Sequence, residues 1–309
     1  VRIISLVPHA TELLFELELG PDVVAVTHEC DYPPAALAAE RVTRDVLPAG
    51  LSAAEIDAAV RERTLDGGAI YELDREAIAA LSPDLIVTQA LCPVCAVSYA
   101  EVAELSEMLP SRPRVISLDP HTLAETLQDI CTLAEATDRR KRGAELVSEA
   151  TARIERIKLA VSKQPRPRVV ALEWLDPVYV AGHWTPELIH LAGGQDLLGS
   201  PGGPSTTISW EAIVAAEPEI VVVMPCGYDA RRAHTEALTY ASELAALAAS
   251  RVVAVNASAY FSRPGPRLVD GLEMLAHILH PDCVSDAPDI ALPVELKPSD
   301  AQCPGQIVC

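Results

Sequence analysis

A basic residue followed by a short β-branched run recurs along the chain, as Arg2-Ile3-Ile4-Ser5-Leu6, Arg114-Val115-Ile116-Ser117-Leu118, Arg168-Val169-Val170-Ala171-Leu172 and Arg251-Val252-Val253-Ala254-Val255. Short apolar runs without polar alternation predict strands buried on both faces, as in a parallel sheet. A second pattern occurs once per half. Leu81-Ser82-Pro83-Asp84 leads into Leu85-Ile86-Val87, and Ala216-Glu217-Pro218-Glu219 leads into Ile220-Val221-Val222. In both, proline stops a helix and a strand follows at once. With Val23–Val26 as a further strand, the pattern predicts two related α/β halves.

Helix starts are marked between these strands. Ser52/Glu55, Ser98/Glu101 and Thr122/Glu125 have capping-box spacing, and Thr185-Pro186 places an N-cap before a proline at the first helical position. From about 138 to 162 the apolar residues Val147, Ala150, Ile154, Ile157 and Val161 step by three and four, with Arg153, Arg156 and Lys158 on the other face. This predicts one amphipathic helix. The expected organisation is an N-terminal α/β lobe over 1–137, a connecting backbone helix over 138–164, a C-terminal α/β lobe over 165–280 and a Pro-rich tail over 281–309, mobile or draped over the surface. The 309 residues agree with about two domains of roughly 150 residues each.

Composition narrows the function. With 24 Lys and Arg against 44 Asp and Glu, the net charge is −20. That field repels phosphate backbones and anionic headgroups, so no nucleic-acid partner is expected. No apolar run approaches the roughly 18–20 residues of a membrane span, so no membrane insertion is expected. The chain opens on a strand-like run with no basic and apolar leader before it. With its sparse cysteines read as free thiols, this favours a cytoplasmic protein; residue 1 is not Met, and a removed leader would make it extracytoplasmic. Dinucleotide, P-loop, nucleophile-elbow and zincin motifs are absent, so the chain reads as a binding protein more than an enzyme.

Ligands of open α/β sheets bind beyond the carboxyl ends of the strands, and the chemically unusual residues cluster there. His9 follows the first strand and either faces a cleft or caps the next helix. His28, Cys30 and Tyr32 follow Val23–Val26, and Cys92-Pro93-Val94-Cys95 follows Leu85–Thr88. In the second half Trp174, then His183 and Trp184, follow strand 168–172; Cys226 follows 220–224, and Tyr260, Phe261 and Arg263 follow 251–255. The Cys-x-x-Cys pair reads as a metal clip, a redox pair or two small buried hydrophobes. Cys30 and Cys226, with His28 and His183, would complete a metal site if the loops converge. Trp174 and Trp184 are either core residues or flat walls for a large planar ligand, whereas Trp210, after Ser209 at a helix start, is expected to pack. Arg263 is either solvated or meets an anionic or amide-rich ligand.

Ser5-Leu6-Val7-Pro8-His9-Ala10-Thr11-Glu12, the long central helix, Ala192-Gly193-Gly194, Ser209-Trp210-Glu211 and Ser262-Arg263-Pro264-Gly265-Pro266-Arg267 resemble the helical-backbone class of substrate-binding proteins. These are the binding components of cobalamin and iron-siderophore ABC importers. The resemblance covers about residues 1–280 and is nearest to the cobalamin-binding branch. It implies a class III periplasmic-binding-protein-like fold, with two Rossmann-like lobes of parallel sheet joined by a backbone helix. It further implies cobalamin or a related corrinoid held between the lobes. Tyr260-Phe261-Ser262-Arg263 matches a corrinoid-facing loop, Gly182-His183-Trp184 another cleft segment, and Glu101 and Asp229 the carboxylates that dock on an ABC permease. Trp174, Trp184, Tyr260 and Phe261 are then apolar walls, and His183, His28 or a cysteine is the axial-ligand candidate for cobalt. The alternative is a cytoplasmic metal or haem protein, with enzymatic activity in its scope, in which Cys30, Cys92, Cys95, Cys226 and His183 hold a transition metal.

Overall fold

The structure, a computed structural model, describes residues 1–48, 50–65, 69–90, 97–285, 289 and 291–296. The chain divides into two compact units, Val1–Arg156 with Arg263–Asp270, and Ile157–Ser262 with Gly271–Cys309.

In the first unit the strands are β1 (Ile3–Ser5), β2 (Val23–Val26), β3 (Glu40–Arg41), β4 (Thr43–Asp45), β5 (Tyr71–Leu73), β6 (Leu85–Thr88) and β7 (Arg114–Ser117). A parallel sheet runs in the order β3-β2-β1-β6-β7, and β4 and β5 form a separate antiparallel pair. Ile3, Ile4 and Ile86 are fully buried, each contributing about 1.5–3 kcal/mol of apolar transfer. This two-sided burial is what the unbroken apolar runs demanded. Helices α1 (Pro8–Glu16), α2 (Ala53–Leu65), α3 (Arg75–Leu81), α4 (Tyr99–Met108) and α5 (Leu123–Ala136) complete the unit. Helix α6 (Arg140–Val161) starts in it and ends in the second. Along α6, Ile154, Ile157 and Val161 are buried, as the spacing predicted.

The second unit contains β8 (Arg168–Leu175), β9 (Val178–Val180), β10 (Gln195–Asp196), β11 (Thr206–Thr207), β12 (Ile220–Val223), β13 (Arg251–Ala254) and β14 (Leu292–Pro293). Strand β12 lies between β8 and β13, parallel to both, while β9, β11 and β14 are antiparallel additions. Helices α7 (Thr185–Leu191), α8 (Trp210–Ala215), α9 (Ala230–Thr239), α10 (Ala241–Ala246) and α11 (Ala257–Tyr260) follow in chain order, and α12 (Leu268–Leu279) belongs to this unit from Gly271 on. Part of the Pro-rich tail is built into the sheet: β14 pairs with β13, and Val294 is buried with its amide bonded to the Val252 carbonyl.

Two expected caps are not formed. Ser98 makes no side-chain cap to α4, because Glu101, the residue that would close the box, pairs with Arg75 at 2.9 Å. At α7 the N-cap is Trp184, and Thr185 is already helical, its hydroxyl buried without a partner among the described residues. The boxes at Ser52/Glu55 and Thr122/Glu125 do form.

Candidate functional site

In the first unit the strand order reverses between β1 and β6, and it is outside the carboxyl ends at such a switch point that open α/β sheets bind ligands. Helix α1 starts directly after β1, with Pro8 at its first position and His9 next. The loop after β2 carries Thr27–Pro33, and Asp119 follows β7. The segment Arg263–Arg267, distant in sequence, belongs to this unit. It lies close against α1, since a Cβ added at Gly265 would sit 3.2 Å from the His9 Cβ.

Charge organises this site. Glu12, 2% exposed, accepts the Nε of Arg267 at 2.8 Å and its Nη2 at 2.5 Å, and the Nη1 of Arg263 at 3.4 Å. Arg263 also donates to Asp31 at 2.5 Å and to the Glu29 carbonyl at 3.3 Å. Burial works against the Arg263 charge, but Asp31, Glu12 and Glu29 more than offset it, so its pKa rises. The Arg267 guanidinium lies 4.1 Å from the centre of the Tyr32 ring, a cation–π geometry, and Tyr32 remains 40% exposed. His9 is 3% exposed and its Nε2 has no partner among the described residues. Burial lowers its pKa to about 4; Asp119 pulls it back up and Arg263 pushes it further down, so the imidazole is neutral at pH 7.

The rest of the loop is tied to its surroundings. The His28 amide and Nδ1 both meet the Thr43 hydroxyl, at 3.0 and 2.7 Å, and its ring tilts against Tyr71, which donates to Glu29 at 3.0 Å. These groups line a narrow recess with Leu6, Thr27 and Val97. A larger recess of about 560 Å³ lies at the amino ends of β2 and β3, lined by Phe15, Val24 and Ala38 among others, and lacks convergent polar groups.

Cys30, expected as a metal ligand, is a core residue. It is fully buried, with its sulfur 3.1 Å from the Thr11 and Thr27 hydroxyls, and burial raises its pKa. A thiol so placed is protonated and inert. Cys226 is exposed at the end of β12 in the other unit, and Cys92 and Cys95 lie outside the described residues. Among the described residues no group of three or more His, Cys, Asp or Glu is arranged to hold a metal ion.

The second unit's strand-end loops are held by packing and hydrogen bonds. Gly182 sits where an added Cβ would lie 2.5 Å from the backbone of Gly203, Pro204 and Ser205, so only glycine fits. His183 follows at a φ of 50°, donates its amide to the Gly203 carbonyl at 2.5 Å and stacks on Trp184. Trp184 and Phe261, expected as ligand walls, are interior residues, 5% and 1% exposed. The Trp184 indole N–H donates to the Phe261 carbonyl at 2.8 Å, which satisfies it without a ligand. Trp174 is half-buried, edge-on to Tyr228, and its indole N–H has no partner among the described residues. Tyr260 is half-buried. Of the expected docking carboxylates, Glu101 pairs with Arg75, and Asp229 caps α9 by accepting the Arg232 amide at 2.8 Å.

Glu12, Arg267 and Asp119 were not singled out as site residues. The signal for Glu12 was a carboxylate inside the apolar run Ala10–Phe15, which must find an opposite charge when buried.

Known proteins match this fold and chain length. A vitamin B12-binding protein of Vibrio cholerae serotype O1 is 25% identical over 280 residues, covering 90% of this chain and 88% of the relative. One from Pectobacterium atrosepticum is 24% identical over 278 residues, covering 87% and 84%. Among solved structures, the periplasmic vitamin B12-binding protein of Vibrio cholerae superposes with a TM-score of 0.66 at 24% identity, covering 90% of this chain and 96% of that one. The periplasmic haem-binding protein of the same organism superposes at 0.68 with 19% identity, covering 91% and 99%. A family model described as periplasmic binding protein matches residues 3–259, and the chain belongs to that family.

Proposed function

We propose that this substrate-binding protein holds cobalamin or a related corrinoid. The observation that carries the reading is the state of the two arginines beside Tyr32. Both are paired, with Glu12 and Asp31, so the site presents the exposed Tyr32 ring with its cationic charge already neutralised. That suits an amide-rich corrinoid, whereas the two propionates of haem require cations with capacity to spare. The names of the relatives support the same ligand. Haem is the second reading, favoured by His9, an imidazole kept neutral and so competent as an axial ligand.

Delivery to an ABC permease is the proposed use, with Glu101 and Asp229 as the docking carboxylates. That delivery requires an extracytoplasmic location, whereas the thiols of Cys30, Cys131 and Cys283 suit a reducing compartment, in which the chain is a cytoplasmic relative of such binding components; fractionation of the source cells decides between them.

Calorimetric and visible-absorbance titrations with cyanocobalamin and haemin decide the ligand. Cyanocobalamin is expected to bind, and Tyr32→Ala to weaken it about five- to tenfold through lost ring contact. Tight haemin binding without any cyanocobalamin signal overturns the proposal.

A further inference from the structure

We propose that Glu12 is a positioning residue for the ligand-facing loop 29–32, acting through Arg263 and Arg267 and not by touching a ligand. Glu12 lies on α1 among Leu13, Leu14 and Ala10 and is 2% exposed. Both of its oxygens are engaged. The Nε and Nη2 of Arg267 grip them as a planar fork at 2.8 and 2.5 Å, a geometry that fixes the plane of the guanidinium as well as its place. That plane is the one beneath Tyr32, 4.1 Å from the ring centre. The Oε1 also receives Arg263, whose other contacts are the Asp31 carboxylate and the Glu29 carbonyl. One buried carboxylate therefore orients two guanidiniums, and each guanidinium holds a different part of the same loop. The opposing charges also matter collectively. Without Glu12, the two partly buried cations keep only Asp31 and the more distant charge of Glu29 as counter-charges, and their mutual repulsion works against the observed arrangement.

The role differs from that of a plain structural ion pair, because it predicts that Glu12 and Tyr32 are energetically coupled in binding. This part of the inference rests on the corrinoid reading; the ordering of the loop does not.

The test has two arms. In the first, dissociation constants for cyanocobalamin are measured for wild type, Glu12→Gln, Tyr32→Ala and the double variant. Glu12→Gln keeps the shape and removes the charge, and is expected to weaken binding about tenfold in the wild-type background and about twofold or less on top of Tyr32→Ala. An equal loss in both backgrounds overturns the proposal. In the second arm, amide hydrogen exchange is followed in the ligand-free protein. The amides of 28–32 are expected to exchange about tenfold faster in Glu12→Gln while those of β12 keep their protection. Unchanged exchange at 28–32 overturns the proposal whatever the ligand. If wild type fails to bind cyanocobalamin, the corrinoid reading falls and the exchange arm alone decides the positioning role. If Glu12→Gln does not fold, Arg267→Lys takes its place in both arms, since lysine keeps the charge opposite Glu12 and loses the planar fork over Tyr32.

Discussion

The strand-end loops of the two units solve the same problem by different physics. In the first unit a loop is held by ion pairs among Glu12, Arg263, Arg267 and Asp31. In the second, the loops are held by a glycine that permits backbone contact, by the Trp184–Phe261 hydrogen bond and by aromatic packing of Trp174 on Tyr228. The first arrangement depends on charge balance, and removing one member leaves buried charges without compensation. The second depends on shape, and its losses are local.

The contrast can be broken by mutation and by pH. Glu12→Ala should have the largest effect, about 3–5 kcal/mol in urea unfolding, because two arginines lose their shared carboxylate. A cost below that of the Trp184→Phe change would end the claim that charge holds the first unit. Acid is the next lever. His9 has a folded pKa of about 4 against 6.5 in the unfolded chain, so the unfolded state takes up its proton first. Its contribution is fully present above pH 6.5 and lost as pH falls from 6.5 to 4, about 3 kcal/mol in all. Unfolding curves across that window should flatten in His9→Gln. In the second unit Trp184→Phe removes one buried hydrogen bond and should cost about 1–2 kcal/mol, with a dependence on pH no greater than that of wild type. The smallest effect should be a gain. Asp129 on α5 has a buried oxygen without a partner among the described residues, and burial followed by repulsion from Asp119 and Glu125 raises its pKa to about 7. The unfolded chain gives up this proton first, so the penalty builds as pH rises from 3.8 to about 7 and is constant above that. Asp129→Asn should therefore stabilise the protein at pH 8 by about 1 kcal/mol after solvent screening, and leave it unchanged at pH 3, as read by thermal melts.

Much of the architecture was legible because its causes are local. Ile3-Ile4 and Ile220-Val221-Val222 are buried strands, and the three-four spacing of Ile154, Ile157 and Val161 became one face of α6. At Thr122 the cap forms, with Glu125 accepting from the Thr122 and His121 amides; at Ser98 it does not, and Glu101 pairs with Arg75 instead. Part of the site was legible too: His9, Tyr32 and Arg263 were marked by their place after strands. The structure brings these three into the first unit with Glu12.

The sequence by itself determined the alternation of strands and helices, the parallel pairing of the central strands and the long helix, since periodicity and flanking prolines act over a few residues. The tertiary structure alone decided which charges meet. Glu12 finds partners 251 and 255 positions away, and Trp184 turns inward to a carbonyl 77 positions on. Coulombic attraction and burial act through space, and the spacing of residues along the chain carries no record of them.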